Sequence, residues 1–425
     1  MQAATTKLIH EIRRLSLPLR SPDDLSPLVE AAGEAKYVLL GEASHGTSEF
    51  YTVRAELTKR LILEHGCRFI AVEGDWPACF SVNRYVKSLP GAAADAKTAL
   101  QAFDRWPVWM WANHEILELI EWLKAHNDAL PAAERVGFYG MDVYSLWESM
   151  EEIIQYLERI GSKHVEDARE AFACFEPFHR EGQNYGVSAA LYGEGCTDEV
   201  VALLTKLRTD RGRVEDPQEA ALDAEINGLV TLHAEQYYRA MITADAESWN
   251  IRDRHMVEAL QRIAAFYGPG AKAVVWEHNT HIGDARSTDM LEDGMVNVGQ
   301  LLREQSDPGE VFAIGFGTHR GTVMAASRWG VTPEVMQVPA GIRDSWEDLL
   351  HESLNGADHI LLFAGRDAPA LMDTVIGHRA IGVVYHPRRE RGNYVPTVLP
   401  QRYDAFVHMD ATTAVKPLAG IPVMV

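Results

Sequence analysis

Cysteine is scarce in this chain: four among 425 residues, Cys67, Cys79, Cys174 and Cys196. No two stand as C-x-x-C, which excludes zinc-ribbon and thioredoxin readings. Their wide spacing supports no disulfide framework, and reduced thiols are expected. Basic residues are also in deficit. Lys and Arg number 40 against 61 Asp and Glu, a formal net charge of −21. Such a chain repels phosphate backbones and anionic lipid heads, so neither nucleic acid nor membrane is expected as a partner. The densest basic run, Arg388-Arg389-Glu390-Arg391, is short, contains an acid and reads as a solvated loop. No apolar run reaches the length of a membrane span. The first ten residues hold no continuous apolar stretch, so a cytoplasmic protein is expected.

Familiar catalytic signatures are missing as well. There is no G-x-S-x-G elbow, no Walker A loop and no H-E-x-x-H pair. The run Gly315-Phe316-Gly317-Thr318-His319-Arg320-Gly321 has its last glycine one residue too late for a dinucleotide fingerprint. No internal repeat and no Gly/Ser linker divides the chain, so residues 1–425 read as one domain.

What the chain has is a series of short apolar runs: Tyr37–Leu40, Phe69–Val72, Val136–Tyr139, Ala273–Trp276, Val311–Phe316, His359–Phe363, Ala380–Tyr385 and Ala405–His408. They are continuous rather than alternating, as expected of parallel strands covered on both faces. Helical stripes lie between many of them. Phe50, Val53, Leu57 and Leu61 form one, with Thr47 or Ser48 to cap it and Gly66 to end it. Leu146, Met150, Ile153 and Leu157 form another, closed by Gly161. From 146 to 268 only helical patterns occur, with a turn at Glu215-Asp216-Pro217 and a helix capped by Ser248. The predicted fold is α/β: a mostly parallel central sheet flanked by helices, with a helical insertion subdomain at 146–268.

Polar residues gather at the strand ends, where open α/β sheets bind ligands. Gly41-Glu42-Ala43-Ser44-His45-Gly46 follows the first run and brings a carboxylate, a hydroxyl and an imidazole between glycines. Glu73 closes the second run, where a carboxylate must be solvated, paired or functional. Glu277-His278-Asn279-Thr280-His281 places two imidazoles just after a third. Thr318-His319-Arg320 and Tyr385-His386 mark two more. Arg54 sits on the apolar stripe of the helix after the first loop, where it is either a surface side chain snorkelling to water or a buried guanidinium that needs an acidic partner or a ligand.

These stretches resemble the erythromycin esterase family. The likeness is carried by Gly41–Gly46 with Glu49-Phe50, by Ala71-Val72-Glu73-Gly74-Asp75 and by Phe138-Tyr139-Gly140-Met141-Asp142-Val143-Tyr144. It continues in Ser248-Trp249-Asn250-Ile251-Arg252-Asp253, Trp276–His281, Val296-Asn297-Val298-Gly299-Gln300 and Gly315–Gly321. The resemblance implies hydrolysis of a small-molecule ester, in the best-known members a macrolide lactone. It puts the essential histidine on His45, glutamates on Glu42 and Glu73, the arginine on Arg54 and a later histidine on His278 or His281. Ser44, His281, His319, Arg320 and Tyr385 are expected to contact substrate.

The expected mechanism is attack by water that His45 activates, with no covalent intermediate and no cofactor. A divalent metal held by His45, Glu73, His278 and His281 is the rival for the same cluster. A haem-binding or small-molecule-binding protein is the non-enzymatic alternative, with Trp106, Trp109 and Trp111 lining a cleft or filling the core.

Overall fold

The structure is a computed structural model and describes residues 2–178, 180–192, 195–210, 218–242 and 245–421. The expected turn at Glu215-Asp216-Pro217 lies outside the described residues. The chain divides into two compact units. One comprises Met1–Ala71, Val82–Phe138 and Gly270–Val425, the other Val72–Ser81 and Tyr139–Pro269.

Among the described residues eleven strands are formed: β1 (Ser16–Pro18), β2 (Tyr37–Leu40), β3 (Cys67–Asp75), β4 (Gly137–Asp142), β5 (Lys272–Trp276), β6 (Val311–Ala325), β7 (Glu334–Val338), β8 (His359–Leu362), β9 (Ile376–Arg379), β10 (Tyr394–Thr397) and β11 (Ala405–Thr412). Nine build one sheet in the order β1-β8-β11-β6-β2-β5-β3-β4, with β7 added on β6. β3 and β4 give their first residues to the first unit and their last to the second.

The centre of the sheet is parallel: β11 with β6, β6 with β2, and β2 with β5. Its edge turns antiparallel at β8 and β1, and β7 also runs antiparallel to β6. The continuous apolar runs have the explanation anticipated for them. Leu39, Leu40, Val274, Val275, Ala313, Ile314, Phe406 and Val407 are all wholly buried, which fits strands covered on both faces. The fold is therefore α/β with a large, mostly parallel sheet flanked by helices.

One strand expectation fails. Residues Ala380–Tyr385 form no ladder; β9 lies just before them and pairs with β10. The apolar run instead makes single bridges, Ser44 with Ile381 and Ala326 with Val384. Its backbone groups are satisfied by loops, which is an alternative to a sheet when the neighbours are themselves loops.

In the first unit the helix Ser48–His65 follows β2, with Thr47 at its N-cap and a left-handed Gly66 at its end. In the second unit the helices are Leu146–Arg159, Val165–Ala173, Gly182–Tyr192, Thr197–Asp210, Gln218–Ala240 and Asp245–Tyr267. Ser248 lies inside the last of these rather than capping it. The core of this unit includes Leu146, Met150, Ile153, Leu157, Phe172 and Phe175.

The cysteine expectation is corrected here. Cys174 and Cys196 form a disulfide with Cα atoms 6.0 Å apart. Helix packing brings together residues 22 apart in the chain, and no local motif announces that. Cys67 and Cys79 remain buried thiols.

Candidate active site

The β2 strand ends at Leu40 and the chain turns through Gly41–Thr47 into the helix Ser48–His65. Neither Gly41 nor Gly46 has a positive φ. Both are needed for close approach: a Cβ on Gly46 would lie 2.0 Å from the Met324 carbonyl oxygen, and one on Gly41 would lie 2.1 Å from Asn279 Oδ1. The loop is thus pressed between β6 and the segment after β5.

Glu42 is the hub. Its Oε1 lies 2.8 Å from His45 Nδ1, and its Oε2 accepts from Arg54 Nη2 at 2.5 Å. Arg54 is wholly buried, which decides between the two readings of its place on the apolar stripe. Its guanidinium lies over the rings of Tyr51 and Trp276, at 4.6 and 4.5 Å from the centroids. The partner anticipated for that arginine is Glu42. Paired charge and aromatic faces together compensate the loss of water around it.

The His45 loop is fixed from behind, since Tyr51 donates its hydroxyl to the His45 carbonyl at 2.7 Å. The His45 ring stands 4.9 Å from that of His278, centroid to centroid, at 43°. His278 caps the short helix Asn279–Ile282, and its Nδ1 accepts from the Thr280 backbone N–H at 3.3 Å and lies 2.8 Å from Thr280 Oγ1.

These partners set the protons. The carboxylate of Glu42 can only accept, so neutral His45 carries its proton on Nδ1 and is basic at Nε2. Neutral His278 accepts at Nδ1 and therefore carries its proton on Nε2. Two neighbouring imidazoles thus take opposite tautomers, one a proton acceptor and the other a donor.

The other expected site residues lie as follows. Ser44 is buried and hydrogen-bonded to Thr47 Oγ1. His281 is buried on the Asn279–Ile282 helix. His319 stacks on His351 with centroids 3.9 Å apart, and Arg320 reaches Asp410 at 3.5 Å. Tyr385 donates to Glu390 at 2.5 Å, and Glu390 also accepts from Arg379 at 2.6 Å. So Glu42, His45, Arg54 and His278 form one group, while His319, Arg320 and Tyr385 are engaged in others. Trp109 and Trp111 are buried, as core residues are. Among the described residues no three His, Cys, Asp or Glu side chains are grouped so as to hold a metal ion.

In the second unit Glu73 is held by Arg252, whose Nη2 donates to Glu73 Oε1 at 2.6 Å. The same guanidinium binds Asp142 with two hydrogen bonds, from Nε at 2.9 Å and from Nη2 at 2.7 Å. Burial alone would lower the Arg252 pKa, but Asp142, Tyr144 and Glu73 outweigh it and raise it further. Asp142 and Arg252 received no role from the sequence. Both lie within stretches that carry the family resemblance, and Asp142 ends β4 just as Glu73 nearly ends β3, which was the available signal.

Fold and site together define an α/β protein with a buried carboxylate–histidine pair at the carboxyl end of a central strand. Comparison with known proteins narrows this. The erythromycin esterase family matches over residues 62–412, and the chain belongs to that family, which places it among hydrolases. YbfO of Bacillus subtilis (strain 168), a provisionally assigned hydrolase, is 21% identical over 356 residues, 78% of this chain and 77% of that protein.

Solved structures agree in fold. A succinoglycan biosynthesis protein superposes with a TM-score of 0.80 at 21% identity, over 98% of this chain and 100% of that one. A mutant of the erythromycin esterase EreC in its open conformation gives a TM-score of 0.67 at 18% identity, over 94% and 96%. No helix among the described residues is long and apolar enough to cross a membrane.

Proposed function

We propose that the chain hydrolyses an ester by direct attack of water, with His45 as general base, Glu42 as its orienting carboxylate and His278 as the hydrogen-bond donor to the oxyanion. The observation that carries this reading is the placement of the Glu42 carboxylate 2.8 Å from His45 Nδ1 with the His278 ring 4.9 Å from that of His45, partners that imply opposed tautomers. His45 Nε2 takes a proton from water as its oxygen bonds to the ester carbonyl carbon. The carbonyl electron pair moves onto its oxygen, where His278 Nε2–H donates. The tetrahedral centre then collapses and expels the alkoxide, which takes the proton from His45. The products are an acid and an alcohol, and no enzyme group is acylated.

Glu42 keeps the imidazole in the required tautomer and stabilises its charged form, as the carboxylate does in a triad. Arg54 holds the second oxygen of Glu42, so the carboxylate cannot swing away. The Ser44 and Thr47 hydroxyls share a hydrogen bond, and Ser44 lacks the setting of a nucleophile. Glu73, immobilised by Arg252, is kept as a site residue on the family resemblance, and Ser44 and His281 as substrate contacts. Family membership and the likeness to EreC favour a macrolide lactone as substrate.

The test is incubation of the purified protein with a macrolide panel, read by mass spectrometry, with His45→Ala alongside. Gain of one water by a macrolide, absent with the variant, is expected. Turnover that survives in folded His45→Ala would remove the assignment of the base.

A further inference from the structure

A second buried acid–histidine pair lies in the first unit, and its polar contacts run toward the candidate site. Glu347, on the helix Trp346–Leu354, and His378, on β9, are both wholly buried. Glu347 Oε1 lies 2.7 Å from His378 Nδ1 and also accepts from the Arg379 backbone N–H at 2.9 Å. The carboxylate therefore takes the Nδ1 proton and leaves His378 Nε2 as an acceptor. That acceptor meets Asn279 Nδ2 at 3.2 Å.

Asn279 is fully committed. Nδ2 also donates to the Phe316 carbonyl at 2.6 Å, and Oδ1 accepts from the Phe316 N–H at 3.2 Å. Reversing the amide would turn its oxygen toward His378 Nε2 and the Phe316 carbonyl, acceptor against acceptor. Glu347 and His378 thus act together with the Phe316 backbone to decide which way Asn279 faces. Its backbone then joins the two halves of the site. Asn279 N–H donates to the Glu42 carbonyl at 2.9 Å, and Asn279 directly follows His278. The amide oxygen is also the group against which Gly41 is packed.

We propose that Asn279, oriented by Glu347–His378, is a positioning residue that keeps Glu42–His45 and His278 in register, and so keeps their tautomers opposed. Asn279 is itself wholly buried and acts through its neighbours. The inference rests on the ester-hydrolysis reading only for its kinetic consequence. Its structural content is tested without substrate.

Among the described residues, four charged or titratable groups face His378: Glu347 from the helix, Arg379 on β9, Arg402 and Tyr403. Burial, the first of these influences, lowers the His378 pKa despite Glu347. The neutral ring required here is the form that the fold favours.

The experiment uses protein labelled with 15N-histidine, with the tautomers of His45 and His278 read from long-range 1H–15N correlations at pH 8. Wild type is expected to show Nδ1–H for His45 and Nε2–H for His278. Asn279→Ala and His378→Gln are expected to leave both rings as mixtures of tautomers. Asn279→Asp puts an oxygen against His378 Nε2, so its mixture is expected to revert toward wild type as the pH is lowered and His378 protonates. General loss of stability does not produce that reversal. If the protein cleaves an ester, the same variants lose about 100-fold in kcat, as for an ångström-scale misplacement, with KM little changed. His378→Gln leaves Asn279 in place, so it serves if Asn279→Ala does not fold. Wild-type tautomers for His45 and His278 in folded Asn279→Ala or His378→Gln would overturn the proposal.

Discussion

His45 and His408 are both buried histidines of the first unit, and they are buried in opposite ways. His45 has Glu42 at 2.8 Å, and Glu42 in turn has Arg54 at 2.5 Å. His408, on β11, faces another histidine: it is the strand partner of His359 on β8, with ring centroids 4.9 Å apart. Neither ring nitrogen of His408 has a hydrogen-bond partner among the described residues. Burial drives its pKa well below the ordinary histidine value, and His359, His319, His351 and Arg379 push the same way. Burial by itself therefore does not make a histidine useful. A carboxylate that fixes one proton and supports the imidazolium does, and removing such support leaves a ring locked neutral.

The largest effect should come from breaking the supported pair. Glu42→Gln keeps the shape of the side chain but lets an amide face His45, so the tautomer is no longer dictated. If the chain hydrolyses an ester as proposed, turnover should fall by about 10²–10⁴-fold, comparable to His45→Ala, because His45 then lacks the carboxylate that fixes its tautomer. His408→Phe should leave turnover within a few-fold of wild type. Steady-state kinetics of the three variants check the contrast, and an unimpaired Glu42→Gln would abolish it.

Next in size is the cost of stranding a charge. Arg54→Met removes the guanidinium between the Tyr51 and Trp276 rings and leaves the Glu42 carboxylate buried without its cation. Breaking a buried pair on one side costs about 3–5 kcal/mol. Denaturant titration should show a loss of this order at pH 7. A loss below about 1 kcal/mol, the range of exposed pairs, would mean that Glu42 is far better solvated than its burial implies.

The contrast also explains what could be read from the sequence. Continuous apolar runs gave away the strands because burial on both faces leaves a local mark. Glu42, His45 and Arg54 were legible because they sit within one turn-and-helix segment, where the loop after a strand and the phase of a stripe bring them together. Of His278 and His281, the two candidates the sequence offered, His278 is the one whose ring lies 4.9 Å from that of His45. Asp142, Arg252, Glu347 and His378 were not legible as site or support residues. Each meets its partner across at least 31 residues of chain, and no local pattern encodes that. The Cys174–Cys196 bond was misread for the same reason. Ala380–Tyr385 was misread because an apolar run records burial, while a ladder needs a strand beside it.

The smaller effects concern the unsupported histidines, and they sharpen the comparison through pH. Burial lowers the His359 pKa to about 4 and lowers that of His319, where His351 adds to the shift. Both groups protonate at lower pH in the fold than the value near 6.5 that they have when unfolded. For His359 the unfolded chain binds more protons between about 6.5 and about 4, so stability is full above that window and is lost as pH falls through it; His319 acts in the same direction. The loss approaches about 1.4 kcal/mol per pH unit for each histidine wholly prevented from protonating. Asp358, whose pKa burial raises, works in the opposite sense.

His408→Phe deletes one of these rings and two polar atoms that lack partners. At pH 8 it should change stability by no more than about 1 kcal/mol, the relief of desolvation offsetting the altered packing. At pH 5 it should be more stable than wild type. Urea midpoints at the two pH values decide this, and a variant that follows wild type in parallel would show that His408 takes up no extra proton on unfolding.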